Sequence, residues 1–235
     1  DSPIMIDRSL NYGRQHIKTF LKLSRPFNTV LDIGAGHGDD LLSAKLVEPN
    51  ASLFAVEAYL PYAEKLEKGG VRVYPLNIEK DRIPFADSSI DVIIANQVLE
   101  HVKEIFWIFH EITRTLKMGG HLIIGVPNLA SLHNRMLLLM GKQPTQIQND
   151  SAHVRGFTKS DLIKFIRIWG GYRLVQSRGS NFYPFPPIIA TPLAHLFPNM
   201  AWGIFFLLKK EKEYKGEFIE WPRNKNLETN FFTGE

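Results

Sequence analysis

The chain has 235 residues, enough for one sizeable domain, and its hydrophobic (44%) and charged (22%) fractions are those of a globular protein, not of a disordered or collagen-like one. Lys and Arg number 28 against 24 Asp and Glu, and this net charge of +4 is too small to indicate a nucleic-acid-binding protein. The sequence contains no cysteine, so disulfides, thiolate nucleophiles and cysteine-ligated metals are excluded.

Nothing in the sequence indicates a membrane-spanning protein. No apolar run approaches the roughly 18 to 20 residues that are needed to cross a bilayer. The chain begins with Asp1-Ser2-Pro3, without the basic and apolar regions of a signal peptide. We therefore expect a soluble, cytoplasmic protein.

The first predicted element is a helix over 10–23, which ends before Pro26 because the residue preceding a proline disfavours helical geometry. Short apolar runs then alternate with helical patterns. Strands are predicted over 29–33, 53–57, 71–76, 91–96 and 121–126. Helices are predicted over 39–47, 62–68 and 98–116. This alternation indicates a parallel sheet that is covered by helices on both faces.

The predicted helix over 98–116 is amphipathic, with apolar residues such as Val102, Phe109 and Leu116 on one face. Trp107 falls in the middle of the polar face. We expect its indole to lie on neighbouring Lys or Arg side chains, and a contact with a partner or a membrane surface is the alternative.

The pattern is less regular after Pro127. Helices are predicted over 132–140 and 158–169, the second with a capping-box pattern of Thr158 and Asp161. A polar loop separates these helices, and strands are predicted over 172–176 and 202–208. The segment 181–200 is rich in proline and aromatic residues, and no element is assigned to it. The tail from Lys209 has no net charge, so it does not indicate a segment that binds a polyanion.

Three features fall at the carboxyl ends of predicted strands, where open parallel sheets bind ligands. A glycine-rich loop, 34–38, follows Asp32. Glu57 closes the second strand, where a carboxylate can accept hydrogen bonds from both hydroxyls of a ribose. Asn96 and Gln97 close the fourth strand.

The glycine loop resembles a dinucleotide-binding fingerprint, but Asp39 stands where the third glycine of that fingerprint would fall. Asp32, Asp39 and Asp40 would also repel a pyrophosphate. A cationic ligand without phosphate suits this loop better, and S-adenosylmethionine is such a ligand. For Asp39 and Asp40, favourable placement at a helix N-terminus is an equal alternative.

At this point the chain resembles a known family. The segments that carry the resemblance are 30–38, Glu57, Asn77, 83–93, 98–102 and 116–120. In this order they resemble the motifs of class I S-adenosylmethionine-dependent methyltransferases, of the type 11 or ubiquinone-biosynthesis-like group. Met118 stands where the family usually has a proline, at a turn.

The resemblance implies an α/β fold, a Rossmann-like, doubly wound sheet of seven strands in the order 3-2-1-4-5-7-6 with the last strand antiparallel. We expect one domain over 1–235. Its expected parts are a lead-in helix or lid (1–25), a cofactor-binding half (28–127), a substrate half (128–210) and a tail (211–235).

The resemblance also assigns the contacts to S-adenosylmethionine. The expected cofactor-binding residues are Tyr12, Arg14, Asp32, Gly34, Ala35, Gly36, Gly38, Glu57, Ala58, Asn77, Ile78, Asn96 and Gln97. Among them, Asp32 and the glycine loop would surround the methionine portion, and Glu57 would hold the ribose. Asn77 and Ile78 would border the adenine, and Tyr12 or Arg14 would fold over the cofactor.

Three residues are candidates for catalysis. His101 lies near the start of the predicted helix over 98–116, where the helix N-terminus favours a neutral imidazole that can act as a base; a packed histidine is the alternative. His153 and Arg155 lie in a segment that resembles a His-x-Arg-x-Phe-Thr signature of methyltransferases encoded with bacterial sugar-polymer and methionine biosynthesis. A solvated polar loop is the alternative for this pair.

The acceptor is expected to be a small molecule or a glycan, methylated at oxygen. The Asn/Asp-Pro-Pro-Tyr/Phe pattern of nucleobase-amine methyltransferases does not follow the fourth strand, and the neutral Asn96 does not suit a magnesium-dependent catechol-type enzyme. The segment 182–189 either walls an apolar or lipid-linked acceptor or caps the last strands. A nicotinamide-dependent oxidoreductase and a non-catalytic binding module are the competing functions.

Overall fold

A computed structural model describes residues 7–225, 227–228 and 230–234. Asp1-Ser2-Pro3, where no signal peptide is expected, lies outside the described residues. Within the described part of the chain, no helix combines the length and apolar character that crossing a bilayer requires.

Seven strands form one sheet in the order β3-β2-β1-β4-β5-β7-β6, as expected. The strands are β1 (Thr29–Ile33), β2 (Ser52–Val56), β3 (Arg72–Tyr74), β4 (Ile90–Asn96), β5 (Leu116–Pro127), β6 (Tyr172–Ser180) and β7 (Gly203–Lys210). β1 to β5 pair in parallel, whereas β7 runs antiparallel to both of its neighbours. The carboxyl ends of β1, β2, β4 and β5 therefore share one edge of the sheet with the end of β6 and the start of β7.

Eight α-helices accompany the sheet among the described residues. They are α1 (Arg14–Leu23), α2 (Asp39–Val47), α3 (Leu60–Lys68), α4 (Ile105–Thr115), α5 (Leu132–Leu139), α6 (Lys159–Ile166), α7 (Pro187–Leu196) and α8 (Glu217–Lys225). The side chain of Thr158 accepts a hydrogen bond from the Asp161 amide and caps α6, in agreement with the predicted capping pattern.

The core consists of two apolar layers because successive side chains of a strand point to opposite faces of the sheet. Leu31 and Ile33 of β1 pack into the layer that contains α4. Val30 of β1 packs into the layer that contains α1 and α2. Since both faces of the central strands are buried, these strands are almost wholly apolar, which explains why the sequence reveals them.

The predicted helix over 10–23 is in fact two elements. A 3-10 helix over Arg8–Tyr12 is separated from α1 by Gly13, whose φ of 54° is left-handed. A side chain at Gly13 would collide with the ring of Phe205 on β7. The close approach of this segment to the sheet therefore requires glycine and breaks the helix.

The predicted helix over 98–116 is also wrong in its first part. A short 3-10 helix, Leu99–His101, is followed by extended backbone at Val102 before α4 begins at Ile105. The amides of Lys103 and Glu104 donate to Glu79 Oε1 at 2.6 and 3.0 Å. A carboxylate from a distant loop therefore determines where α4 starts.

Both expectations for Trp107 are wrong. The side chain is only 6% exposed, and its Nε1 donates to the carbonyl of Asp81 at 3.3 Å. Its ring packs 5.0 Å from the ring of Phe232, a residue of the tail. The tail and the loop before β4 therefore cover the face of α4 that the sequence pattern indicates as polar.

The second half of the chain contains elements that the sequence pattern did not predict. α7 forms inside the proline- and aromatic-rich segment, β6 continues to Ser180, and α8 forms in the tail. α8 is anchored by Phe218, which is fully buried against α4.

Candidate functional site: the carboxyl edge of the sheet

The glycine-rich loop after β1 has left-handed backbone at three positions, with φ of 70° at Gly34, 52° at Gly36 and 82° at Gly38. A Cβ at Gly34 or Gly38 would collide with Val98 or Leu66, respectively. A Cβ at Gly36 would meet no described atom within 4 Å. The backbone of Gly36 therefore borders open space that a ligand can enter.

Glu57 ties this loop to the end of β2. Its Oε2 accepts a hydrogen bond from the amide of Gly36 at 2.8 Å, and its Oε1 accepts one from the amide of Tyr59 at 2.9 Å. The side chain is buried, whereas the neighbouring Ala58 is exposed. Each carboxylate oxygen retains acceptor capacity that a ligand hydroxyl can use.

Two more carboxyl groups are buried beside the loop. Asp32, at the end of β1, is 3% exposed, and Asp40, in the first turn of α2, is 5% exposed. Burial, reinforced by the neighbouring Asp40, raises the pKa of Asp32 well above its ordinary value. Burial also raises the pKa of Asp40. We call Asp32, Asp40 and Glu57 the acidic cluster.

Arg14 is the cation that faces this cluster. Its guanidinium lies 3.2 Å from Asp40 Oδ1 and 2.8 Å from the half-exposed Asp39. It also lies 5.2 Å from the ring centroid of Tyr12, which is 48% exposed. One guanidinium thus pairs with Asp39 and Asp40, so carboxyl groups outnumber the guanidinium at this edge of the sheet.

Asn96, at the end of β4, joins the lead-in segment to the acidic cluster. Its Nδ2 donates to Asp40 Oδ2 at 2.8 Å and to the carbonyl of Tyr12 at 3.1 Å. Asn96 Oδ1 and Gln97 Nε2 are buried without a hydrogen-bond partner in the part of the chain that the structure describes. Buried polar atoms without partners are costly. The contacts of Asn96 and Gln97 with a cofactor stay predictions.

The residues that were expected near the adenine have structural contacts of their own. Asn77 is exposed, and its Oδ1 accepts a hydrogen bond from the amide of Glu79 at 3.0 Å. Ile78 packs against the apolar layer that contains α4. Their contacts with the adenine stay predictions.

The loop that contains His153 and Arg155 returns to the end of β4. The amides of Val154 and Arg155 donate to the carbonyl of Glu100 at 2.9 and 3.2 Å. The rings of His101 and His153 therefore meet edge to face, with centroids 4.6 Å apart. The guanidinium of Arg155 donates to the carbonyl of Lys103 at 3.0 Å.

Glu100 lies between these histidines and was not a candidate from the sequence. Its side chain is almost fully buried, and burial raises its pKa to about 7. The pKa of His101 is lowered, chiefly by burial and then by His153, so its imidazole is neutral at neutral pH. The base role of His101 stays a prediction. The only signal for Glu100 was its position next to His101.

Comparison with known sequences shows that residues 31–124 match a family described as a methyltransferase domain. Malonyl-[acyl-carrier protein] O-methyltransferase from Xylella fastidiosa is 29% identical over 97 residues, which are 40% of this chain and 33% of that protein. The chain thus spans about a third of the length of the first curated relatives that it matches.

Comparison with solved structures shows the same fold. A possible histamine N-methyltransferase from Thermotoga maritima aligns with a TM-score of 0.61 at 19% identity, over 86% of this chain and 91% of the other. The plantazolicin methyltransferase BpumL, solved with S-adenosylhomocysteine, aligns with a TM-score of 0.60 at 15% identity, over 87% of this chain and 86% of the other.

Residues 31–124 match a methyltransferase domain, and the chain has the fold of S-adenosylmethionine-dependent methyltransferases. S-adenosylmethionine is the cofactor of such a domain. The acidic cluster fits it, because buried carboxyl groups in excess of cations favour a sulfonium and an ammonium and disfavour a diphosphate. Glu57 and the open space at Gly36 would accommodate the ribose and the methionine portion.

A cavity of about 650 Å³ lies beside this edge of the sheet. Residues that line it include Asn11, Gln143, Gln148, Asn181, Tyr183 and Trp202. Asn181 follows β6 and Trp202 precedes β7, so the cavity opens at the edge that carries the acidic cluster. A cavity at this edge is a candidate place for a methyl acceptor.

Proposed function

We propose that the protein transfers the methyl group of S-adenosylmethionine to a hydroxyl group of a small polar molecule or a glycan. The observation that carries this proposal is the position of the acidic cluster and the 650 Å³ cavity at the same edge of the sheet. One relative, from Xylella fastidiosa, is named as an O-methyltransferase. That name supports transfer to oxygen.

The chain contributes binding and alignment to this reaction. The cofactor supplies a methyl group that is already activated by its sulfonium, and the acceptor hydroxyl loses a proton as the carbon–oxygen bond forms. Asp32 and Asp40 would attract the cation, and Glu57 would fix the ribose. Holding donor and acceptor in line and excluding water then provides most of the rate enhancement.

The chemistry of the cavity favours a sugar-like acceptor. The rings of Tyr183 and Trp202 lie 5.5 Å apart and form one wall. Amide side chains from Asn11, Gln143 and Gln148 form other parts of the lining. Flat aromatic surfaces together with amide groups match the apolar faces and the hydroxyl groups of a saccharide.

Exposed apolar side chains on α5 and α7 favour a lipid-linked form of this acceptor. Ile188 and Leu196 of α7 are 82% and 67% exposed, and Leu139 of α5 is 80% exposed. The two helices are neighbours, because Leu132 of α5 packs against the small apolar cluster of α7. Such a patch is suited to contact with lipid.

The test is turnover with methyl-labelled S-adenosylmethionine on free saccharides, lipid-linked saccharides and primary amines. We expect label on a saccharide hydroxyl, with the lipid-linked form preferred. Trp202→Leu should raise the KM for the acceptor and leave cofactor affinity unchanged. Trp221→Leu, on the partly exposed side of α8, is the matched control. Transfer to amines alone, or binding of cofactor without transfer to any acceptor, would overturn the proposal.

A further inference from the structure

Glu100, His101 and His153 form a compact set of metal-ligating side chains. One ligand atom from each residue can be chosen so that all three atoms lie within 4.8 Å of one another. The separation between His101 Nε2 and Glu100 Oε1 is 4.0 Å. We call these three residues the Glu-His-His cluster. None of them contacts the acidic cluster through a hydrogen bond that the described structure contains.

Both imidazoles are held in the tautomer that a metal requires. His101 Nδ1 lies 3.3 Å from the carbonyl of Ala152, and His153 Nδ1 lies 2.7 Å from the carbonyl of Gln146. A carbonyl only accepts hydrogen bonds, so Nδ1 carries the proton in each ring. Nε2 therefore keeps its lone pair, and this pattern of a backbone carbonyl on the other ring nitrogen is the usual second shell of a metal-bound histidine.

The carboxylate of Glu100 lacks the partners that a buried acid normally has. The residue is 1% exposed, and its Oε2 is buried with no hydrogen bond to any part of the described chain. A buried carboxyl group of this kind is stabilised when it is paired with a cation. A metal ion bound between Glu100 and the two adjacent imidazoles would provide that positive charge.

We propose that the Glu-His-His cluster binds a divalent transition-metal ion, for which Zn²⁺ is the best match. Two imidazole nitrogens and one carboxylate oxygen suit zinc and its neighbours in the first transition row, whereas Mg²⁺ and Ca²⁺ prefer sites made wholly of oxygen. Three protein ligands leave a fourth position for water or another oxygen ligand.

The cluster needs a modest contraction to take the ion. Ligand bonds of about 2.0–2.2 Å require ligand atoms that lie closer together than 4.8 Å. The side chain of His101 is 42% exposed and has room to rotate towards Glu100. A metal-bound Nε2 cannot also accept a proton, so this site and the base role of His101 exclude each other.

The experiment is titration of the chelator-treated full chain with Zn²⁺ by calorimetry and with Co²⁺ by visible absorption. We expect one ion per chain and the visible bands of Co²⁺ with nitrogen and oxygen ligands. Glu100→Gln and His153→Gln should each weaken binding by more than the roughly 10- to 100-fold that follows loss of an outer-shell partner. Mg²⁺ should not compete.

The matched control is His121→Gln, a half-buried histidine in the middle of β5, away from the carboxyl edge. It should bind Zn²⁺ as the unchanged chain does. Circular dichroism checks that each variant is folded. Because His153 is half-exposed, we expect His153→Gln to fold even if Glu100→Gln does not. Unchanged Zn²⁺ affinity in Glu100→Gln and His153→Gln, or no binding by the unchanged chain, would overturn the proposal. Neither result depends on methyl transfer.

Discussion

Two groups of buried charges in this fold have opposite character. On α4, the buried Arg114 donates at 2.6 and 2.8 Å to the buried Glu111 and at 2.7 Å to Asp87, whose side chain is 71% exposed. We call these three residues the arginine cluster. The hydrogen bond from Arg114 lowers the pKa of Asp87. In the acidic cluster, burial raises the pKa of Asp32. The buried Arg114–Glu111 pair holds the fold together, whereas the acidic cluster, in which carboxyl groups outnumber the guanidinium, is where we propose that the cationic cofactor binds.

The largest expected effect is the loss of stability in Arg114→Ala, which should not be accompanied by a loss of cofactor binding. Arg114→Ala would leave the buried Glu111 without its guanidinium partner and remove the donors to the carbonyls of Ile83 and Phe85. We expect the free energy of unfolding to fall by about 3–5 kcal/mol, the usual cost of breaking a buried ion pair. Denaturant titration measures it. Arg173→Ala, which breaks an exposed ion pair, should cost about 1 kcal/mol or less.

The affinity of Arg114→Ala for S-adenosylmethionine tests whether the arginine cluster contributes to cofactor binding. At conditions where Arg114→Ala is folded, its affinity should equal that of the unchanged chain. A loss of affinity as large as the loss of stability would contradict the division between the two clusters.

Glu57→Ala should have its main effect on the ligand. The variant removes the carboxylate that accepts hydrogen bonds from Gly36 and Tyr59 and that would hold the ribose. We expect affinity for S-adenosylmethionine to fall roughly 10- to 150-fold, since a hydrogen bond to a charged group is worth about 1.5–3 kcal/mol. Calorimetric titration measures it, with Glu67→Ala on the exposed face of α3 as the control.

Gly36 and Gly38 lie in the same loop, and alanine at these two positions should separate an effect on cofactor binding from an effect on stability. Both have left-handed backbone, so alanine at either position costs about 1–2 kcal/mol of stability. Gly38→Ala adds a collision with Leu66 at 2.5 Å, whereas Gly36→Ala projects into open space. We expect Gly38→Ala to have the lower melting temperature and Gly36→Ala to lose more cofactor affinity for a given loss of stability. The reverse order would contradict the open space assigned to Gly36.

The first half of the chain could be predicted in detail because its elements depend on local patterns. β1 and α2 begin and end at the predicted residues, since an apolar run is followed by a glycine loop and two acidic residues at a helix N-terminus. Glu57 could be placed beside the loop because the carboxyl ends of adjacent parallel strands share an edge.

The errors occur where distant residues decide the structure. The start of α4 depends on the carboxylate of Glu79, and the burial of Trp107 depends on Phe232 in the tail. α7 contains Pro192 and many apolar residues without a clear polar face, so its sequence lacks a helical period. Glu100 was missed because a continuous helix was predicted there.

The most direct test of the account is calorimetric titration of the chain with S-adenosylmethionine and with NAD, from about pH 8 to about pH 5. Protonation removes the charge of Asp32 and Asp40, whose pKa values are raised chiefly by burial. We expect micromolar binding of S-adenosylmethionine at the higher pH, weakening as the pH falls, and no comparable binding of NAD. Tighter binding of NAD, or S-adenosylmethionine affinity that rises as the pH falls, would contradict the assignment of the acidic cluster to a cationic ligand.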